Sequence, residues 1–106
     1  MRAKYITAIC VTLALALLAS AGIAMADPLV EPGINRAGGD YRSFDIGNAD
    51  LRDTPELICQ AACQKEGQCK SWTYVKIGVQ GPKAKCWLKS SLPAATANNC
   101  CTSGSR

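Results

Sequence analysis

The sequence predicts a small α+β domain stapled by disulfides. Three observations carry this expectation. The chain opens on an apolar leader of the export type, and the 80 residues after it hold six cysteines. Within those residues one well-punctuated helix stands among strand-like segments.

The leader has the three parts of a secretory signal peptide. Arg2 and Lys4 supply the positive start, and Ile6 to about Leu18 is apolar apart from Thr7 and Thr12. Ala24-Met25-Ala26 then offers a cleavage site before Asp27. Residues 1–26 therefore read as a signal peptide, and the mature chain as secreted or periplasmic. The competing reading, an uncleaved membrane anchor, wants ~20 apolar residues. A core helix would need a polar face, which this segment lacks. A lipoprotein would need a cysteine directly after the apolar stretch, whereas Cys10 lies inside it and leaves with the leader. No stable membrane anchor is expected after cleavage.

The mature chain bounds one domain at most. A core this small yields little net stability, so such scaffolds depend on staples. Cys59, Cys63, Cys69, Cys86, Cys100 and Cys101 provide them. The alternative is a metal site, but the chain has no His and no C-x-x-C pair. No metal or other cofactor is expected. Charge is unevenly spread: residues 27–56 carry net −4 and residues 57–106 net +6. The plain reading is that the two halves attract one another within the fold. A mature net charge of +2 on an exported chain argues against nucleic acid as a partner.

Taken in order, residues 27–35 hold Pro28, Pro32 and Gly33 without periodicity, and read as a flexible lead-in. Asp40 to Ile46 reads as a strand with Arg42, Phe44 and Ile46 on one face and Tyr41, Ser43 and Asp45 on the other. Thr54 is a fitting N-cap, Pro55 suits the first helical position, and Glu56 favours the positive helix end. Gly67 fits a left-handed stop, giving a helix over 55–66. Cys59 and Cys63 share one face of it, so the helix would dock on a sheet through small residues and sulfur. Cys69 to Lys76 and Ala84 to Lys89 read as two strands of a hairpin with a long connection. Residues 90–106 are rich in Ser, Ala and Asn, with Leu92 the one large apolar residue, and read as irregular.

The ordered set Cys59-Gln60-Ala61-Ala62-Cys63, Cys69, Trp72-Thr73-Tyr74 and Cys86-Trp87-Leu88-Lys89 resembles the PAN/Apple domain family, in its small bacterial secreted branch. Asp40-Tyr41-Arg42-Ser43-Phe44 and Asn99-Cys100-Cys101 extend the resemblance over residues 36–104. It implies a curled antiparallel sheet cradling one α-helix. It also implies bridges from Cys63 to Cys69 and from Cys59 to Cys86. Larger Apple domains add a bridge joining the termini, which this chain cannot form, having no cysteine between Asp27 and Ile58. Cys100 and Cys101 are left to bridge each other, to pair with a partner chain, or to displace the implied pairing.

No catalytic constellation is visible, so the chain reads as not an enzyme. The commonest general base is missing with His, and Ser90, Ser91 and Ser103 have no evident partner. Cys100-Cys101 is the one unusual thiol feature, but a thioredoxin-like site needs C-x-x-C. Asp45, Asp50 and Asp53 lack the regular spacing of a calcium loop. That leaves binding of an unknown protein or glycan, which is also what the resemblance implies. An alternative by analogy is a structural or inhibitory accessory protein for an envelope protease-related system of the macroglobulin type. Two surfaces are candidates. One is aromatic, from Tyr41, Trp72, Tyr74 and Trp87, against which stands a core role, favoured for Trp72 and Trp87. The other is basic, from Lys70, Lys76, Lys83, Lys85 and Lys89, against which stands an ordinary solvated hairpin face.

Overall fold

In the computed structural model the described residues are 30–47 and 54–106. The leader therefore lies outside the described residues, as do Asp50 and Asp53. Five strands and one helix follow in the order β1 (Val30–Asn35), β2 (Asp40–Ile46), α1 (Pro55–Lys65), β3 (Ser71–Val75), β4 (Ala84–Lys89) and β5 (Thr96–Ser105). The strands form one antiparallel sheet in the order β1-β5-β3-β4-β2, and α1 packs on one face across β3, β4 and β5. This is the α+β arrangement expected, a sheet cradling one helix.

The core lies between α1 and that face. Trp72, Tyr74, Ala84, Cys86, Leu88 and Ile46 project from the sheet to meet Cys59 and Cys63, with Tyr41, Phe44, Ile58 and Ala62 packed around them. The helix buries only Cys59 and Cys63 outright, so sulfur forms its narrow core stripe. Cys59 bridges to Cys86 in the middle of β4, and Cys63 to Cys69 beyond the helix end. Cys100 bridges to Cys101.

The charge asymmetry is spent on strand pairing. Asp40 lies opposite Lys89 and Asp45 opposite Lys85 across β2 and β4, and both pairs form ion pairs. The register slips between Asp40 and Arg42, leaving Tyr41 as an extra residue. The bulge lets neighbouring side chains converge: the Tyr41 hydroxyl donates to Glu66 Oε1 at 2.8 Å, and the Arg42 guanidinium pairs with the same carboxylate. Strict alternation would have sent Tyr41 to the opposite face.

Three expectations are corrected. Residues 30–35 of the supposed lead-in form β1, whose Pro32 is tolerated because β1 is an edge strand. The tail read as irregular contains β5, ten residues long and seated between β1 and β3. Its small residues are what admit it there: Gly104 lies opposite Trp72, Thr102 opposite Tyr74 and Ser103 opposite Thr73. A periodicity reading has no large apolar residue to find in such a strand. Finally, Gly67 does not take the left-handed conformation. The helix ends at Lys65 because Glu66 turns extended, at φ −110° and ψ 116°, while its N–H still bonds the Cys63 carbonyl. Thr54 precedes the helix but makes no side-chain cap bond.

Candidate binding site

The face of the sheet away from α1 carries the site. Side chains alternate along β3 and β4, so Trp72, Tyr74, Cys86 and Leu88 point into the core while Thr73, Val75, Trp87 and Lys89 point the other way. There they form the base of a cleft of about 490 Å³. Its walls come from three loops or bulges: Ala37 and Gly38 between β1 and β2, Val79 and Gln80 between β3 and β4, and Asn98, Cys100 and Cys101 on β5. The volume falls within the ~300–1,000 Å³ usual for small-ligand sites.

The β5 wall exists because of a local irregularity. Pro32 pairs with Thr102 and Ile34 with Ala97, so on the β1 side residues 98–101 of β5 are matched by Gly33 alone. Gly33 takes φ +75°, which accommodates the mismatch without steric cost. The arched segment holds the Cys100–Cys101 bridge and brings it to the cleft rim.

Internal hydrogen bonds orient the polar groups. Trp87 Nε1 donates to Gln80 Oε1 at 2.8 Å, and the Cys100 N–H donates to Asn98 Oδ1 at 3.0 Å. Each bond fixes the amide it reaches, and the NH2 groups of Gln80 and Asn98 donate no hydrogen bond among the described residues. Below, Thr73 Oγ1 and Ser103 Oγ lie 2.8 Å apart, and Ser103 donates to the Ile34 carbonyl, also at 2.8 Å. Since Ser103 spends its proton on Ile34, Thr73 is the donor to Ser103. The chain of bonds links β3, β5 and β1. Lys89 is only 3 % exposed at its side chain, and its Nζ donates to the Gly38 carbonyl at 3.1 Å and to Asp40 Oδ1.

The candidate aromatics part company. Trp72 is fully buried and Tyr74 nearly so, which removes both from the binding surface. Burial, with Glu56 nearby, pushes the Tyr74 hydroxyl above its ordinary pKa. Tyr41 packs against the core and is held by Glu66. Trp87 departs from the expected core role: it is half-buried, lines the cleft, and lies outside the core cluster. Phase along β4 explains it, since Trp87 sits between Cys86 and Leu88, both directed at the helix.

The lysines form no single patch. Lys70 lies at one end of β3 beside Arg106, while Lys76, Lys83 and Lys85 lie at the other end. Lys85 is paired with Asp45, whose carboxyl is held below its ordinary range mainly by that hydrogen bond. Lys89 is buried and already neutralised, so it is no exposed cation. Lys70, Lys76 and Lys83 remain exposed.

Gln80, Asn98 and Asn35 line the cleft and were not singled out from the sequence. Their amides carry no spacing signal, since the loops and the β5 arch that assemble them are long-range features. Residues 34–89 match the family model of the PAN domain, just over half of the 106-residue chain. The match runs from the end of β1 through β4. No curated protein and no solved structure shows a significant match to the chain.

Proposed function

Since the chain belongs to the PAN domain family, we propose that it is an exported, non-catalytic binding module whose protein or carbohydrate ligand sits in the cleft on the helix-free face. PAN domains are in general modules for binding protein or carbohydrate. The observation that carries the reading for this chain is the placement of Trp87. A large aromatic residue is kept out of the core, half-exposed in a concave site, with its one polar atom satisfied by Gln80. Aromatic residues of this kind are the usual energetic centres of binding surfaces. Export is supported by the leader pattern and by three disulfides, which persist in an oxidising compartment.

The test compares the wild type with Trp87→Ala, on a glycan array and in affinity capture from envelope extract. A ligand seated in the cleft loses at least about 30-fold in affinity, the effect of removing a hot-spot aromatic. A Lys70→Ala/Lys83→Ala variant, altered at opposite ends outside the cleft, binds as the wild type does. The reverse pattern, with Trp87→Ala binding normally and the lysine variant failing, places the site elsewhere.

A further inference from the structure

We infer that the cleft takes an uncharged pyranose ring of a neutral glycan, an assignment that rests on the cleft being the ligand site. Three features of its lining agree on this ligand. The first is charge. The charged residues lining the cleft are Asp40 and Lys89, and they pair with each other. The Lys89 ammonium is turned inward, to Asp40 and the Gly38 carbonyl, and is almost wholly buried. A sulfated or uronic glycan would therefore meet no available cation there. The carboxylate it would meet is Asp40, about a third exposed and already paired with Lys89, so the site offers an anion no net attraction.

The second feature is the mixture of hydrogen-bonding groups. Gln80 and Asn98 line the cleft with amides whose NH2 groups donate no hydrogen bond among the described residues, so they are left as donors. Asp40 bonds Lys89 through Oδ1, and among the described residues its Oδ2 accepts no hydrogen bond, so it is left as an acceptor. Donors and an acceptor placed around one cleft suit hydroxyl groups, each of which both gives and accepts a hydrogen bond.

The third feature is apolar. Trp87 lends indole carbon surface, its Nε1 being engaged by Gln80, and Val79 and the Cys100–Cys101 bridge stand on the walls. A pyranose has the matching anatomy, with C–H groups on its faces and hydroxyls around its rim. Gln80 then acts twice, fixing the indole and donating to the sugar. It is exposed and lies on a loop, so its substitution leaves the core untouched.

The experiment is an NMR titration of the isotope-labelled mature protein. The probes are methyl glycosides of glucose, galactose, mannose and N-acetylglucosamine, with a heparin fragment as the anionic comparison. The expected result is that at least one neutral glycoside shifts the Trp87 indole and the Gln80 and Asn98 side-chain amides. Gln80→Ala weakens that binding by about tenfold, as loss of one hydrogen bond to the ligand would, and Trp87→Ala abolishes it. Heparin leaves these signals in place. The proposal is overturned if no neutral glycoside moves the Trp87 signal, or if heparin moves it more strongly. A protein ligand that depends on Trp87 while every neutral glycoside fails overturns the sugar assignment and leaves the cleft as the binding site. Ligand binding that is indifferent to Trp87 overturns both.

Discussion

The ammonium of Lys89, buried at the base of the cleft, is matched by the carboxylate of Asp40 directly opposite it on β2. One pair thus joins two halves of the chain that carry opposite net charge, and also cancels charge inside the site. Asp40→Ala leaves the buried ammonium with the Gly38 carbonyl as its remaining partner. The expected loss is about 1.5–3 kcal/mol of unfolding free energy, the range for a hydrogen bond to a charged group. Lys89→Met costs less, because it removes the charge together with its need for a partner. Urea unfolding of the two variants checks this, and a larger loss for Lys89→Met would contradict it.

The three bridges should rank by the length of chain each closes. Cys59–Cys86 spans 27 residues, Cys63–Cys69 spans six, and Cys100–Cys101 joins neighbours. Loop-closure entropy then assigns about 3.5 kcal/mol to the first, about 2 kcal/mol to the second and almost nothing to the third. Paired Cys→Ala substitutions followed by denaturant unfolding give the order. If removing Cys100 and Cys101 costs as much as removing Cys59 and Cys86, the role of the rim bridge is to hold the fold and not to shape the cleft.

The helix was legible because its signals are local, and its two bridges followed from the resemblance to the PAN/Apple family. Pro55, Glu56 and the four-residue spacing of Cys59 and Cys63 place α1 to within a residue of its observed end. Trp87 was harder. Composition favoured a core role, because the chain has few other large apolar residues, yet its phase against Cys86 and Leu88 settles the face only once those two are known to point at the helix. β5 was not legible at all. Thr96–Ser105 has no hydrophobic alternation, and its strand identity comes from β1 and β3 on either side of it. The cleft depends on that strand, so its polar lining was hidden with it.

Acid should weaken the fold through Glu66. Its carboxylate accepts from Arg42 and Tyr41, and those hydrogen bonds hold its pKa below the ordinary glutamate value of 4.5. Glu31 is lowered likewise by Arg36, and Asp45 by Lys85. A carboxyl lowered by folding contributes stability that is fully present above its ordinary pKa. That contribution is lost as the pH falls through the lowered value. The urea midpoint should therefore hold steady from neutrality to about pH 5 and decline below that. Glu66→Gln makes the decline shallower, and added salt reduces it, since these pairs are at least partly exposed. A decline of equal steepness in Glu66→Gln would exclude this carboxyl as a contributor.

Gly39 couples the turn before β2 to the strand end at Ser90 and Ser91. It takes φ +72°, and a Cβ there would lie 2.3 Å from Ser91 Oγ, while its carbonyl accepts from the Ser90 N–H at 2.9 Å. Gly39→Ala therefore meets two separable penalties. The left-handed backbone costs an L-residue about 1–2 kcal/mol, and the contact with Ser91 adds to it until the serine rotates away. Ser91→Ala removes the clashing oxygen but not the backbone penalty, so the double variant regains part of the loss, and a double-mutant cycle reads the difference as coupling between the two sites. Because Gly38 supplies a carbonyl to Lys89 and lines the cleft, Gly39→Ala also lowers ligand affinity, measured under conditions where the variant is still folded. Full recovery in the double variant would mean that the clash alone requires glycine. An absence of coupling would mean that the backbone alone does.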